Sequence, residues 1–228
     1  MAVEIEDMSL KKQEKQVVSK KRVSDHGEVL TAKREVNAML DLVKQETECI
    51  DSRFLEPACG TGNFMTEILE RKLRVVENRH YKSQLEYERN AVLAVASIYG
   101  IDLLEDNVVE CRKRLFDIFD QKYASFYERR AKDACRKTVK YILERNIIHG
   151  DALSLKTVGD NPKPIIFSEW SLIKGSMLKR RDFTFQELLE HASWIELPMF
   201  SDLGGEAFVP TPVKEYPLIH YLRVADVE

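Results

Sequence analysis

Apolar residues along this chain change their spacing several times, and the changes mark out its elements. Between residues 31 and 46, Val36, Met39, Leu40 and Val43 recur at helical spacing behind Thr31, which predicts an amphipathic helix over about 32–46 with Thr31 as its N-cap. Arg53-Phe54-Leu55 is a short apolar run that stops at Glu56-Pro57 and passes into Ala58-Cys59-Gly60-Thr61-Gly62-Asn63. Phe64, Ile68 and Leu69 then restart the 3.6-residue period, so the segment reads as strand, glycine loop and helix. A helical stretch over about 79–96 ends in an Ala/Val-rich core segment. Ile98 to Asp102 is a second strand ending on an acid. Glu105 to about Phe119 is helical, with Val108, Cys111, Leu115 and Ile118 or Phe119 on one face. Charged, helical sequence fills 120–145.

A third strand, Asn146 to His149, runs into Gly150-Asp151, and Pro164-Ile165-Ile166-Phe167 reads as a fourth. Beyond it the periodicity fades: Thr184 can cap a short helix carrying Phe185, Leu188 and Leu189, and the proline-rich tail from 198 reads as loop. Strands alternating with helices predict an α/β fold with a parallel sheet, and no internal repeat interrupts it. The expected organisation is an N-terminal arm over 1–22, a domain over 23–175 and a loop-rich C-terminal extension over 176–228.

Bulk properties narrow the function classes. The 228 residues suit one medium domain, and 44% hydrophobic residues argue against wholesale disorder. A formal net charge of -3 supplies no global basic field for nucleic acid, so any DNA contact would be local. The four cysteines (Cys49, Cys59, Cys111, Cys135) and the histidines 26, 149, 191 and 220 have neither zinc-site nor disulfide-framework spacing, so no metal is assigned. With no apolar run near the roughly 18 residues a membrane helix needs, and no signal core at the start, the chain reads as cytoplasmic.

Candidate chemistry gathers where the strands end. Gly60 and Gly62 permit positive φ and close approach of a ligand to the backbone, although a two-glycine turn also serves simply to pack a helix on a strand. Asp102 follows Gly62 by 40 residues, where a carboxylate can accept both hydroxyls of a ribose or cap the helix behind it. Asp151 at the third strand end can accept an adenine amine or serve as an ordinary turn aspartate. In a parallel sheet, ligands sit at the carboxyl ends of strands, and all three acids, Glu56, Asp102 and Asp151, fall there.

Four segments, in order, carry a resemblance. FLEPACGTGNF (54–64) resembles the S-adenosylmethionine loop of amino-group DNA methyltransferases, whose usual form has aspartate at the position of Glu56. YGIDL (99–103) is similar to their ribose-binding strand end, and HGDAL (149–153) to their adenine-contacting turn. HGEVLTAKREVNAMLDLV (26–43) resembles the segment that, in the gamma-type order, precedes the loop and closes over the methionine end of the cofactor. The resemblance covers about 23–170 and is closest to modification subunits of restriction-modification systems.

It implies a Rossmann-like, S-adenosylmethionine-dependent fold acting on adenine N6 in DNA. Glu56, Gly60, Asn63 and Thr31 would hold the methionine end. Pro57, Ala58, Gly62 and Phe64 would shape the loop. Asp102 with Leu103 would take the ribose, and Asp151 with Ala152 the adenine.

The resemblance breaks at the catalytic turn. The family ends its fourth strand in Asn-Pro-Pro-Tyr or Asp-Pro-Pro-Tyr, which binds the target amine and stacks the flipped base. Here the fourth strand runs into Ser168-Glu169-Trp170-Ser171, leaving Glu169 as acceptor and Trp170 as stacking partner without the prolines that fix such a turn. Four strands with only 58 residues after Trp170 imply a truncated parallel sheet. The expectation is therefore a split enzyme completed by a second polypeptide, or a homodimer that covers the open edge. The alternative is a non-catalytic or degenerate cofactor-binding subunit beside an active methyltransferase. Methylation of another amine, on RNA or protein, is a further reading. Lys179-Arg180-Arg181, beside Phe183 and Phe185, could contact phosphate or simply be solvated surface. Cys59 is read as a packing residue of the loop.

Overall fold

The computed structural model describes residues 19–26, 28–173, 175–195 and 210–226. Most of the proposed arm (1–18) and part of the tail after 198 (199–209, 227 and 228) lie outside the described residues. Three short helices lead in: α1 (Lys20–His26), α2 (Lys33–Leu42) and α3 (Lys44–Thr47). Ala32, not Thr31, occupies the N-cap of α2, and the Glu35 side chain accepts from its amide at 3.2 Å. Only Val36 and Leu40 of the predicted stripe are buried; Met39 and Val43 face solvent, because a ten-residue helix lying on one neighbour needs a narrow seam.

The central unit then alternates as predicted. β1 (Phe54–Glu56) leads through the glycine loop into α4 (Asn63–His80) and α5 (Gln84–Ala96). The expected single helix over 79–96 is therefore two. Ser83 caps the second, its hydroxyl accepting from the Glu86 amide at 3.4 Å, a local bond that competes with helix continuation. β2 (Ile98–Asp102) is followed by α6 (Glu105–Tyr127), longer than expected because Tyr123 and Tyr127 continue its buried stripe. A 3-10 turn over Glu128–Arg130 joins it to α7 (Asp133–Asn146), and β3 (Ile147–Asp151) follows.

β1, β2 and β3 pair in parallel in that order, and the two-residue β4 (Lys156–Thr157) pairs antiparallel with β3. Alternation along β2 sends Ile98 into the main core with Leu69, Leu73, Tyr87, Leu115 and Ile142, while Tyr99 and Ile101 face the opposite side. Lys72, fully buried, ties the approach to β1 onto the start of β2: its ammonium donates to the Ile50 carbonyl at 3.1 Å, to the Ser97 hydroxyl at 2.7 Å and to the Ser52 carbonyl. Burial pulls this amine down to about 8.

Two expectations fail after β3. The fourth strand is not parallel and does not join the first sheet. Instead β5 (Ile166–Leu172) forms a seven-pair antiparallel hairpin with β6 (Met177–Thr184). Short strands β7 (Lys214–Glu215) and β8 (Ile219–His220) add to β6. The described residues after 176 hold β6, these short strands and a helix where loop was expected, and a boundary at 175 falls at the turn of this hairpin. Behind it comes α8 (Phe185–Ile195), where the Thr184 hydroxyl accepts from the Glu187 amide at 3.3 Å as its predicted cap role requires. The hairpin covers the second face of β2: the Tyr99 hydroxyl donates to the Ser168 carbonyl at 3.1 Å, and Phe167 packs edge-on against Tyr99. The last turn, Tyr221–Asp226, is held to the main core by the Thr138 hydroxyl, which donates to the Tyr221 carbonyl at 2.7 Å.

Candidate functional site at the strand carboxyl ends

Because β1, β2 and β3 run parallel, their last residues Glu56, Asp102 and Asp151 emerge on one edge of the sheet. The loop after β1 is stitched to β2 by two amides. Cys59 donates to the Ile101 carbonyl at 2.9 Å, and Gly60 donates to the Asp102 Oδ2 at 2.8 Å. The turn closes on itself where the Gly62 amide donates to the Cys59 carbonyl at 2.8 Å. Gly60 (φ 52) and Gly62 (φ 87) both occupy the left-handed region, and a Cβ on Gly62 would lie 2.7 Å from the Cys111 Sγ. Glycine is therefore required here for backbone shape and for the seating of α6.

Asp102 is the hub. Its Oδ1 accepts from the Leu104 amide at 2.9 Å and from the Asn107 side chain at 3.1 Å, besides the Gly60 bond to Oδ2. A carboxylate offers about four acceptor positions, so these three bonds leave one for a further donor. Asp102 serves the helix start and the loop together, so its capping and site readings are compatible. On the neighbouring strand, the His149 Nε2 lies 3.0 Å from the Leu103 carbonyl, and the Leu103 side chain projects half into solvent.

Glu56 sits at the mouth of the loop. Partial burial raises its carboxyl above the ordinary range, while the Ala58 amide opposes that weakly at 3.4 Å. Asp151 is held below the ordinary carboxylate range by the Ser154 hydroxyl and then by the Leu153 amide, which donates at 2.9 Å. Ala152 packs on the small core cluster of the second face, and Phe64 on the main core. Pro57 and Ala58 are exposed.

Thr31 and Asn63 meet from opposite directions. The Asn63 amide donates to the Thr31 carbonyl at 2.9 Å, and its Oδ1 accepts from Arg114 at 2.9 Å. Arg114 also donates to the Thr61 carbonyl at 2.6 Å, so α6 clamps the loop from behind. A cavity of about 640 Å³ opens beside this clamp, bordered by Leu30, Lys33, Thr61, Asn63, Glu67 and Arg114. Sequence reading missed Arg114 and Asn107. Arg114 falls one residue before the buried Leu115 on an otherwise charged stretch, and Asn107 is a polar residue on a helix's inner face. Asn107 stands five residues after a candidate acid, but no local pattern in the sequence marks it.

The predicted catalytic pair is not brought to this edge as a turn. Ser168–Ser171 is the middle of β5. Glu169 is ion-paired to Arg53 and Arg181, and Trp170 is buried, its Nε1 donating to the Asn146 Oδ1 at 2.9 Å. The basic run pairs likewise: Lys179 with Glu215, Arg180 with Asp182 and Arg181 with Glu169.

Parallel strands that each end on an acid, grouped around a glycine loop leading into a helix, define the class of α/β proteins that bind ligands at a sheet's carboxyl edge. Within that class the family is defined by sequence. The chain belongs to the family described as MmeI, DNA-methyltransferase domain, whose model matches residues 30–160. This places it among DNA methyltransferases of restriction-modification systems, and the matched span contains α2, the glycine loop and all three strand-end acids. No curated protein and no solved structure matches the chain. Among the described residues no helix is long and apolar enough to cross a membrane.

Proposed function

We propose that this chain is the cofactor-binding half of a DNA adenine-N6 methyltransferase of gamma-type order and Rossmann-like fold, acting in the cytoplasm within a restriction-modification system. The observation that carries the reading is that Glu56, Asp102 and Asp151 end three parallel strands at one edge of the sheet, with the glycine loop bonded to Asp102, inside the family-matched span. The donor and acceptor set suits S-adenosylmethionine. Glu56 offers a carboxylate to the amino acid ammonium, with Thr31, Gly60 and Asn63 around that end. Asp102 keeps an acceptor for a ribose hydroxyl, with Leu103 against the sugar and base. Asp151 and Ala152 offer an acceptor and an apolar wall to the adenine amine and ring. Pro57, Ala58, Gly62 and Phe64 shape the loop. When bound, the cofactor supplies an electrophilic methyl group, and everything else this chain does is binding and orientation.

The amine-binding turn is assigned to a second polypeptide, and a second copy of this chain is the simpler cover for the open sheet edge. Nowhere does this sequence contain two adjacent prolines, and Glu169 and Trp170 are already committed to ion pairs and to the core. β1 ends its sheet with no further partner strand among the described residues. Beside it lies an apolar cleft of about 450 Å³ lined by Leu55, Tyr99, Phe167, Phe183, Phe185 and Leu188, a setting into which added structure would pack. The same missing turn favours the second reading, a non-catalytic subunit beside an active methyltransferase. Incubating the purified chain with S-adenosylmethionine and unmethylated mixed-sequence duplex DNA, then analysing the nucleosides by mass spectrometry, tests the division of labour. The expected result is no N6-methyladenine from the chain alone. Its appearance, together with loss in Glu169→Ala, would overturn the split and restore Glu169 to the mechanism.

A further inference from the structure

The segment before α2 is bonded to the candidate ribose acid through one buried side chain. Asn107, 3% exposed, donates from Nδ2 to the Asp102 Oδ1 at 3.1 Å and to the Glu28 Oε1 at 2.7 Å, while its Oδ1 accepts from Arg22 at 2.9 Å. Arg22 in turn forks onto Glu28, at 3.0 Å to Oε1 and by a second bond to Oε2, and onto Asp106 at the start of α6. The Glu28 side chain is only 9% exposed. A carboxylate so placed is tolerated because Arg22 and Asn107 satisfy it; without them it would be an uncompensated charge facing Asp102. Two carboxylates from segments about 70 residues apart thus share one amide, and a single arginine balances the far side.

We infer that Asn107 is a positioning residue that couples docking of α1 and Glu28 to the orientation of the Asp102 carboxylate, with Glu28 and Arg22 completing the coupling. A nucleoside held at Asp102 then favours the docked segment, and the docked segment favours the nucleoside by the same factor, because linkage between two sites is reciprocal. The ligand class rests on the reading of Asp102 given above, whereas the mechanical link does not. Its chemistry differs from that of the methionine end: Thr31 reaches the loop through its carbonyl, and Glu28 reaches the ribose acid through a side chain.

Limited trypsin digestion of the full chain, with cleavage after Lys20 and Lys21 followed by mass spectrometry, tests the link without ligand. Asn107→Leu and Asp102→Ala should each speed these cuts by about fivefold or more while leaving cleavage after Lys82, exposed in the turn between α4 and α5, unchanged. Equal rates in Asp102→Ala and wild type would overturn the coupling. In a second arm, Arg22→Gln should weaken S-adenosylmethionine binding by about fivefold, and the Arg22→Gln/Asn107→Leu double variant should bind no worse than Asn107→Leu alone. Strictly additive losses would mean the residues act independently. Should wild type fail to bind S-adenosylmethionine, the nucleoside reading falls and the digestion arm still decides the link.

Discussion

At the scale of single residues, Gly62 carries the sharpest constraint. Its φ of 87 and the 2.7 Å approach of the Cys111 Sγ to an added Cβ act together. Gly62→Ala should therefore lower unfolding free energy by about 2–3 kcal/mol, combining a strained φ with overpacking. Adding Cys111→Ala removes the sulfur and should recover part of that loss, leaving mainly the backbone strain. Urea unfolding of the two single variants and the double measures this, and strict additivity would show that the two positions do not touch. Both glycines and all three acids were legible in the sequence because each has a chemical reason to stand beside a turn. Asn107 and Arg22 were not, because a hydrogen bond between segments 85 residues apart leaves no local pattern.

Among the elements, β5 shows where pattern reading stopped working. Ser168-Glu169-Trp170-Ser171 was set at the catalytic turn because it follows the apolar run of the fourth strand, where the resembling family places that turn. In the structure the polar groups are consumed locally: the Ser168 hydroxyl donates to Asp182 at 2.7 Å, and Glu169 takes two arginines. β6 hid for the same reason, its Lys179-Arg180-Arg181 run reading as solvated surface until each cation found a carboxylate. The strand-loop-helix unit from β1 to α4 was legible because a short apolar run gives way to a 3.6-residue period across two glycines. Trp170→Phe discriminates a structural from a stacking role. Loss of its bond leaves the Asn146 Oδ1 unpaired in the core, so unfolding free energy should fall by about 1–3 kcal/mol while cofactor affinity stays unchanged. A stable variant with impaired DNA methylation would return Trp170 to the base-binding site. Thermal unfolding beside calorimetric titration reads both quantities.

At the scale of the whole molecule, the chain divides its labour between two sheets. The parallel sheet presents acids at one edge, and the antiparallel hairpin covers the face of β2 that helices leave bare. α/β character and the parallel run of the first three strands followed from alternating periods, as did family membership from four segments in sequence. The hairpin did not, because strand order and direction depend on contacts between distant segments. Calorimetric titration of the purified chain with S-adenosylmethionine, with Asp102→Ala beside it, tests the central claim most directly. Saturable one-to-one binding that the variant loses, with its fold intact by circular dichroism, is the predicted result. A folded wild-type protein that takes up no cofactor, or an Asp102→Ala variant that binds as tightly as wild type, would contradict it.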